Sequence, residues 1–267
     1  MTLEVLISTM HQDDYSLLKQ MKITSDAVVV NQCNKDSRAV FSYFGHRVIW
    51  INTTERGLSR SRNMAIKNAS ADICMLADDD MEYRQGYEQT VLSSFADNSS
   101  DIIGFQVEGI EKKFKNYDCK EHAVSYLESM KMASVEIAFR RSSFINNDIH
   151  FDEMIGAGTE FLMGEENALL FQCLRKKLKV YYIPKVIADL HIGESTWFTE
   201  RNEQYFMGKG AAFAAMKTPF SLLLILQFAF RKRNLYKDNT TVSQAIKHML
   251  NGKNLYKEKA RIINNDT

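Results

Sequence analysis

The first hundred residues alternate short apolar runs with polar segments. The runs are β-branched and unbroken, as expected for parallel strands covered on both faces, and lie at Leu3–Thr9, Ala27–Asn31, Arg47–Asn52 and Asp72–Ala77. The segments between them have helical spacing, at Asp13–Met21, Lys35–Phe44 and Leu58–Asn68. This alternation predicts an α/β, Rossmann-like fold with a mostly parallel sheet flanked by helices, in which ligands bind at the carboxyl ends of the strands.

The second half of the chain is less regular. It predicts strands at Ile102–Gly109, Ser134–Arg141 and Lys179–Pro184, and helices at Asn167–Lys177, Trp197–Met216 and Pro219–Arg233. Thr218 is expected to cap the last helix, with Pro219 at its first position. Because the chain has only two prolines and no proline-rich linker, we expect one catalytic domain over residues 1–216 and a helical extension over 217–267.

Composition narrows the class of protein. Hydrophobic residues make up 45% of the 267 residues and aromatic residues 11%, which argues against a disordered chain. The net charge is 34 − 33, or +1, so nothing indicates a nucleic-acid partner. The four cysteines form no CxxC pair, which leaves a zinc or redox motif without local support. With no signal peptide either, the sequence predicts a reducing, cytoplasmic location.

Charge is unevenly distributed along the chain. Residues 231–267 hold nine Lys or Arg and three Asp or Glu, a net charge of +6, so the remainder carries 25 − 30, or −5. Just before this tail, Pro219–Phe230 is apolar on every helical face but too short to span a bilayer. The extension is therefore expected either to bind an anionic membrane surface or to pair with itself in a homodimer.

Three consecutive carboxylates, Asp78, Asp79 and Asp80, directly follow a predicted strand. Crowded carboxylates repel one another unless a cation compensates them, and a divalent ion shared with a diphosphate would do so. A solvated acidic turn is the alternative. A haloacid-dehalogenase phosphatase would place its aspartate after the first strand, and a prenyltransferase would carry its aspartates on a helix. Neither arrangement fits.

Three further segments carry candidate chemistry. In RGLSRSRNMAI, Arg56, Arg60 and Arg62 surround a predicted helix start beside Asn63, which suits a diphosphate but also describes an exposed basic turn. In GEEN, a carboxylate at a helix start is either a proton acceptor or an acid that complements the helix dipole. His191 follows another apolar segment and is either a metal ligand or an ordinary polar residue.

Taken in order, these motifs are similar to those of family-2 glycosyltransferases of the GT-A fold. The resemblance rests on Ser8-Thr9, RGLSRSRN, LADDDM, AFRR and GEEN, and runs from about residue 3 to 216. Within the family, STWF at Ser195–Phe198 and EQYFMGKGA at Glu203–Ala211 resemble bacterial enzymes that assemble capsular and related surface polysaccharides.

The resemblance implies a nucleotide-sugar site. It gives Asp78 a contact to the ribose or the sugar, Asp80 the role of holding Mn²⁺ or Mg²⁺, and Glu166 that of general base, with Glu165 as the weaker candidate. Glu here replaces the commoner Asp, and Asn31-Gln32 stand where the family usually has aspartates that read uracil. The full expected set is Ser8, Thr9, Asn31, Gln32, Arg60, Arg62, Asn63, Asp78 and Asp79 for the nucleotide-sugar, Asp80, Asp78 and His191 for the metal, and Glu166 and Glu165 for catalysis.

The implied reaction is an inverting, single-displacement transfer of a hexosyl type. The donor would be a nucleotide-diphosphate sugar, with UDP as the expected nucleotide, and the acceptor a hydroxyl of a lipid-linked oligosaccharide at the inner membrane face. Two alternatives remain. A nucleotidyltransferase would be expected to have a glycine-rich phosphate loop near its N-terminus. The segment STMHQDD at this place, residues 8–14, has no glycine. A non-catalytic assembly subunit would be expected to lack the acids of DDD or GEEN.

Overall fold

The computed structural model describes residues 1–193 and 201–265. The STWF segment and the predicted helix start at Trp197 lie outside these residues. The strands of the described part are β1 (Leu3–Met10), β2 (Asp26–Gln32), β3 (Ser37–Tyr43), β4 (His46–Thr53), β5 (Ile73–Asp78), β6 (Met81–Tyr83), β7 (Ile102–Gly109), β8 (His122–Ala123), β9 (Ile137–Arg140) and β10 (Val180–Leu190). The helices are α1 (Leu17–Gln20), α2 (Leu58–Asn68), α3 (Tyr87–Asp97), α4 (Tyr126–Ser129), α5 (Arg141–Asn146), α6 (Glu165–Arg175), α7 (Glu203–Ala215), α8 (Ser221–Arg231) and α9 (Val242–Asn265).

These strands form one mixed sheet in the order β3-β4-β2-β1-β5-β9-β7-β10-β6, with β8 beside β10. The neighbouring strands β4, β2, β1 and β5 are parallel, as are β7 and β10, whereas β3, β6 and β9 pair antiparallel to their neighbours. The predicted α/β fold with a mostly parallel sheet is confirmed. Its carboxyl edge is where β1, β2, β4 and β5 end.

Burial explains why the central strands form. In β1, every residue from Leu3 to Thr9 is buried, and β2 is buried from Ala27 to Gln32. Side chains of both strands contribute to one apolar cluster with those of β5, β7 and α3. A strand with no solvent face needs apolar residues at consecutive positions, which is the pattern that the sequence carries.

The helix predicted at Lys35–Phe44 is wrong, because the segment forms β3 and pairs antiparallel with β4. Its partly buried residues alternate, with Ala39, Phe41 and Tyr43 packed against the apolar cluster, which is the period of a strand. Phe44 and Gly45 make the connecting turn with φ angles of 46° and 90°. Two consecutive positive φ values are what a tight two-residue hairpin requires.

The bounds of the other predicted helices and strands agree with the structure to different extents. Both α2 and β7 have the predicted bounds. The helix predicted at Asp13–Met21 shrinks to α1, and the strand predicted at Ser134–Arg141 begins with a 3₁₀ turn over Ser134–Glu136. The helix predicted from Pro219 starts at Ser221, while the Thr218 hydroxyl accepts a hydrogen bond from the Phe220 amide. Helix α3 was not predicted, whereas α8 and α9 confirm that the C-terminal segment is helical.

The chain divides into two compact units. The sheet unit comprises residues 1–150 and 173–193, and the helical unit comprises residues 151–172 and 201–265 of the described chain. The division at residue 216 into a catalytic domain and an extension stays a prediction. In the helical unit, Tyr256 of α9 packs in one apolar cluster with Phe161 and Ala211.

Glycines let α7 and α9 cross closely within the helical unit. A Cβ atom on Gly210 of α7 would lie 1.8 Å from the Met249 carbonyl oxygen, and one on Gly252 of α9 would lie 2.0 Å from the Met207 carbonyl oxygen. Each helix therefore presents a glycine to the backbone of the other. Among the described residues, no helix is both long and apolar enough to cross a membrane.

Candidate functional site

The carboxyl edge of the sheet unit gathers most of the residues that the sequence singles out. Ser8 and Thr9 lie at the end of β1, Asn31 and Gln32 end β2, and Asp78 ends β5. The register places Ser8 beside Asp78 and Thr9 beside Asn31. Because these strands are parallel, their last residues share one edge, which is where ligands bind in such sheets.

Asp78 is held by a buried arginine. The Asp78 Oδ1 atom accepts a hydrogen bond of 2.9 Å from an Arg62 guanidinium nitrogen, and the same nitrogen donates to Ser134 Oγ at 2.7 Å. Arg62 is only 1% exposed and projects from α2. A buried guanidinium needs acceptors with good geometry, so this contact fixes the first carboxylate of the acidic motif.

Asp79 is held from the end of β1. The Thr9 hydroxyl donates to Asp79 Oδ2 at 2.6 Å and accepts from the Gln12 side-chain amide at 3.0 Å. Beside it, the Ser61 hydroxyl of α2 donates to Ser8 Oγ at 3.0 Å. Thus Ser8 and Thr9 connect the acidic motif to α2 and to the loop after β1.

The surroundings of Asp80 perturb the titration of its carboxyl. The pKa of its carboxyl is raised to about 6, by partial removal from water and by the negative charges of Asp78 and Asp79. The Asp80 residue still reaches solvent, so a cation could approach it. A bound cation would offset the repulsion from Asp78 and Asp79.

His191 lies next to the acidic motif, since its backbone amide donates to the Asp80 carbonyl at 2.9 Å. Its ring Nδ1 is 2.9 Å from Glu111 and its Nε2 is 2.8 Å from Glu82. These hydrogen bonds, first to Glu111 and then to Glu82, raise the pKa of His191. A ring with both nitrogens engaged would have to release one carboxylate to bind a metal. The metal-ligand role of His191 stays a prediction.

Asn31 and Gln32 lie at the carboxyl edge of the sheet, as predicted, and their side chains form hydrogen bonds to other residues of the protein. The Asn31 side chain accepts from the Gln12 amide at 3.0 Å and donates to the Gln12 carbonyl at 2.9 Å. The Gln32 side-chain oxygen accepts from the Gly57 amide at 2.8 Å. Both residues are buried, at 0% and 4% exposed. In this structure they brace the loops after β1 and β4, and contact with a base stays a prediction.

The arginine segment forms the start of α2. Gly57, with φ of 117°, precedes the helix, and the Arg56 guanidinium donates to the carbonyls of Thr53 and Thr54. Arg56 therefore closes the loop before α2. Arg60 is exposed, with its Nε 3.7 Å from a Glu55 oxygen, and Asn63 is half-buried one position after Arg62.

A cleft beside this edge was not identified from the sequence. It has a volume of about 230 Å³ and is lined by Gln12, Asp13, Asp14, Tyr15, Lys35, Trp50 and Asn52. The Tyr15 and Trp50 rings meet edge to face at 4.9 Å between centroids. Gln12 belongs both to this cleft and to the hydrogen-bonded chain that ends at Asp79. The signal available in the sequence was an aromatic residue directly after the acids of STMHQDDY.

The GEEN motif lies in the helical unit, where Glu165 and Glu166 form the first turn of α6. Glu165 is 7% exposed, whereas Glu166 is half-buried. The preceding Gly164 has φ of 89°, and a Cβ on it would lie 2.5 Å from the Ala212 Cβ of α7. Only glycine suits a left-handed residue this close to a helix, so Gly164 sets the position of the two glutamates against α7.

Lys209 of α7 is a further residue that sequence reasoning missed. Burial lowers its pKa, and the nearby charges of Glu166 and then Glu165 oppose that shift. Its ammonium also lies 5.7 Å from the centre of the Phe228 ring. Lys209 therefore lies close enough to Glu166, the predicted base, for their charges to interact. Its place inside the motif EQYFMGKGA was the only hint in the sequence.

In the described part of the chain, no three His, Cys, Asp or Glu side chains converge as a cage for an ion. Mg²⁺ is commonly held by one or two carboxylates together with substrate phosphates, which is the donor set that Asp78 and Asp80 would supply.

Comparison with solved structures identifies the fold. The chain is similar to the structure of S. aureus TarS 1–349 in complex with UDP-GlcNAc, with a TM-score of 0.65 and a sequence identity of 14%. The match covers 90% of this chain and 74% of the TarS chain. The complex of TarS 1–349 with UDP gives 0.65 at 14% identity, over 94% and 81%. The structure of TarS 1–349 alone gives 0.61 at 12% identity, over 97% and 92%. No curated protein matches the sequence.

The family follows from the sequence profile that the chain matches. The profile described as Glycosyl transferase family 2 covers residues 15–163, which is more than half of the 267 residues. The matched region contains the acidic motif, Arg62 and the loop that leads to GEEN. The chain therefore belongs to glycosyl transferase family 2, and it is a glycosyltransferase.

Proposed function

We propose that this glycosyltransferase moves a hexosyl group from a UDP-sugar to a hydroxyl of a growing surface-polysaccharide oligosaccharide, with inversion and with a divalent cation. The observation that carries the proposal is the acidic motif at the carboxyl edge of the sheet unit. Asp78 is fixed by Arg62, Asp79 is fixed by Thr9, and Asp80 is left with a raised pKa.

The chemistry of this donor set fits Mn²⁺ or Mg²⁺. Three carboxylates lie together in the chain, and the Arg62 guanidinium donates to Asp78. Partial burial of Asp80, together with the negative charges of Asp78 and Asp79, raises the pKa of Asp80. Glycosyltransferases of the GT-A fold generally use a divalent metal. We assign Asp80 as the principal ligand and Asp78 as the second, with His191 entering only after it releases a carboxylate. When bound, the ion would supply positive charge for the diphosphate that departs.

Support for a uridine nucleotide comes from the comparison and from the cleft. The TarS structures were obtained with UDP-GlcNAc and with UDP. The cleft beside Tyr15 and Trp50 offers aromatic edges within reach of the hydrogen-bonded chain from Asp79. We place the nucleoside there and the diphosphate at the start of α2, where Arg60 and Asn63 lie. Asn31 and Gln32 would act indirectly, by fixing the loops that line the cleft.

The proton of the attacking hydroxyl would pass to Glu166. A general base must be reachable by the acceptor, and Glu166 is more accessible than Glu165. Lys209 lies close enough to influence the charge of both glutamates. As the acceptor oxygen bonds to the anomeric carbon, its proton passes to the Glu166 carboxylate. The bond from the anomeric carbon to the diphosphate oxygen breaks at the same time, with UDP as the leaving group.

The acceptor class rests on the similarity of EQYFMGKGA, in α7, to surface-polysaccharide enzymes. A lipid-linked oligosaccharide at the inner face of the membrane is the acceptor that we propose. Family membership removes the nucleotidyltransferase alternative, and the retained acids of DDD and GEEN speak against a non-catalytic subunit.

Calorimetric titration of UDP with and without Mn²⁺ tests the proposal. Wild-type chain should bind UDP more tightly with Mn²⁺ than without it. Asp80→Asn should abolish the metal-dependent part of the affinity, because it removes one negative ligand while the exposed position tolerates the change.

Asp97→Asn is the matched control, since Asp97 is an exposed aspartate at the end of α3. It should bind UDP and Mn²⁺ like the wild type. Equal metal-dependent affinity in Asp80→Asn and wild type would overturn the metal assignment, and no binding of UDP by the wild type under either condition would overturn the choice of nucleotide.

A further inference from the structure

Helix α8 has only Ser221 and Gln227 as polar residues before Arg231, yet the protein covers only one of its faces. Its buried residues are Ser221, Leu224, Ile225 and Ala229, which recur at helical spacing. The remaining large apolar residues point elsewhere. They are Phe220 just before the helix, at 63% exposed, then Leu222 at 49%, Leu223 at 59% and Phe230 at 64%, with Leu226 partly exposed between them.

Most of these side chains lie on one side of the helix. At 100° per residue, Leu222, Leu226, Phe230 and Leu223 fall within one quadrant or so of the helix surface. We call Leu222, Leu223, Leu226 and Phe230 the α8 outer face, which Phe220 precedes in the chain. A surface helix of a globular protein normally carries charged residues on its outward side, whereas no charged residue occurs in α8 before Arg231.

Cations flank this face at both ends. Lys217 precedes it and Arg231, Lys232 and Arg233 follow it, and all four are exposed. The sequence from Lys217 to Lys237 contains no Asp or Glu. Within the described ranges, the salt bridges of the protein include none of these four cations. An apolar strip bordered by exposed cations matches the acyl and headgroup layers of an anionic lipid surface.

We infer that the α8 outer face docks on an anionic membrane surface, with its apolar side chains in the acyl boundary and its flanking cations at the headgroups. Eleven helical residues reach about 16 Å, which is too short to span a bilayer but suits a helix lying in the interface. The inference does not depend on the proposed reaction.

A second copy of the chain fits this face less well. In a two-fold pair of α8 helices, the cations at the ends of one face would meet the cations of the other, because both ends of the strip are positive. Anionic lipid instead neutralises both ends together. Self-association therefore becomes an outcome of the test.

Vesicle flotation with the full chain tests the inference. The wild type should float with vesicles of an equal mixture of phosphatidylglycerol and phosphatidylcholine at low salt, and much less with phosphatidylcholine alone. Leu223→Ser with Phe230→Ser should lower the partition coefficient by about tenfold or more per side chain. Arg231→Gln with Arg233→Gln should lower it by about fivefold per cation, for the anionic vesicles only.

Matched controls separate a specific surface from general stickiness. Phe44→Ser removes an apolar side chain that is 85% exposed in the β3–β4 turn. Lys176→Gln with Lys177→Gln removes two exposed cations after α6. Both controls should float like the wild type, and circular dichroism should show native helix content in every variant.

Three results would overturn the inference. Wild-type chain that stays at the bottom of the gradient with anionic vesicles would do so. A loss of flotation in Phe44→Ser equal to that in Leu223→Ser with Phe230→Ser would also overturn it. A wild-type dimer in size-exclusion chromatography that Leu223→Ser with Phe230→Ser converts to a monomer, without any flotation, would assign the α8 outer face to self-association instead.

Discussion

Arg62 is the buried side chain that fixes the first carboxylate of the acidic motif. It is 1% exposed and donates to Asp78 Oδ1 and Ser134 Oγ. Arg62→Met keeps most of the side-chain volume but leaves both acceptors without this donor. Leaving a buried acceptor unsatisfied costs about 1–3 kcal/mol, so we expect the free energy of unfolding to fall by about that amount in urea denaturation.

Arg60→Met is the matched control for this change. Arg60 lies two positions away on the same helix, but it is exposed and its ion pair with Glu55 is long, at 3.7 Å. Surface substitutions of this kind are usually within about 0.5 kcal/mol of wild type. Equal destabilisation by the two variants would mean that the contacts of Arg62 add nothing to stability.

The adjacent residues Glu165 and Glu166 should differ in their effect on turnover. Removal of a general base typically costs about 10²–10⁴-fold in rate. Because Glu166 is the more accessible of the two, we expect that loss in Glu166→Gln, with the affinity for UDP unchanged in calorimetry. Turnover is followed as UDP released from the UDP-sugar that the wild type consumes.

Glu165→Gln provides the comparison within the same helix turn. It keeps the size and hydrogen-bonding capacity of the side chain and should reduce turnover much less than Glu166→Gln. If Glu165→Gln is the inactive variant and Glu166→Gln turns over normally, the roles of the two glutamates are reversed.

At the scale of elements, the crossing of α7 and α9 depends on glycine. Replacing glycine by alanine inside a helix ordinarily gains about 1 kcal/mol from helix propensity. At Gly210, however, the new Cβ would lie 1.8 Å from the Met249 carbonyl oxygen, so the helices must move apart. Overpacking costs about 1–3 kcal/mol, and we expect Gly210→Ala to lower the melting temperature.

Gly208→Ala is a control within the same sequence motif, two positions before Gly210 and on another side of α7. A Cβ there would meet Met163 at 3.7 Å, which is ordinary van der Waals contact. Helix propensity should therefore dominate, and the melting temperature should stay level or rise. A fall in Gly208→Ala as large as that in Gly210→Ala would show that helix packing around Gly210 is not the cause.

At the scale of the molecule, the predicted extension shares a core with residues that precede it. Ala211, Ala214 and Ala215 of α7 pack in one cluster with Tyr256 of α9. A chain that ends at Met216 would expose this apolar face of α7. We expect such a chain to bind an apolar dye such as ANS, and to unfold with lower cooperativity than the full chain in a thermal scan.

A chain that ends at residue 263 retains Tyr256 and almost all of α9, and it should behave like the full chain in the same measurements. A stable, dye-negative chain ending at Met216 would instead support the division at residue 216 that the sequence predicts. This outcome decides whether residues 217–267 form an appendage or part of a common folding unit.

Much of the sheet unit could be predicted from local pattern. The runs at Leu3–Thr9 and Asp72–Ala77 were identified because a strand covered on both faces needs consecutive apolar residues. The acids at Asp78–Asp80 followed from chain order alone, since residues after parallel strands reach one edge. Motif order also identified the family, because the spacing of these motifs is a property of the chain.

Other features depend on contacts between residues distant in sequence, and only the tertiary structure decided them. Lys35–Phe44 has apolar spacing that a helix tolerates, and only pairing with β4 made it a strand. Asn31 and Gln32 are buried because loops after other strands supply their hydrogen-bond partners, and Lys209 lies near Glu166 because Gly164 packs against α7. The sequence by itself determined that α8 is largely apolar, with Ser221 and Gln227 as its polar residues before Arg231. Which face of α8 remains uncovered was decided only by the packing of its other face, since burial is a property of the folded neighbours.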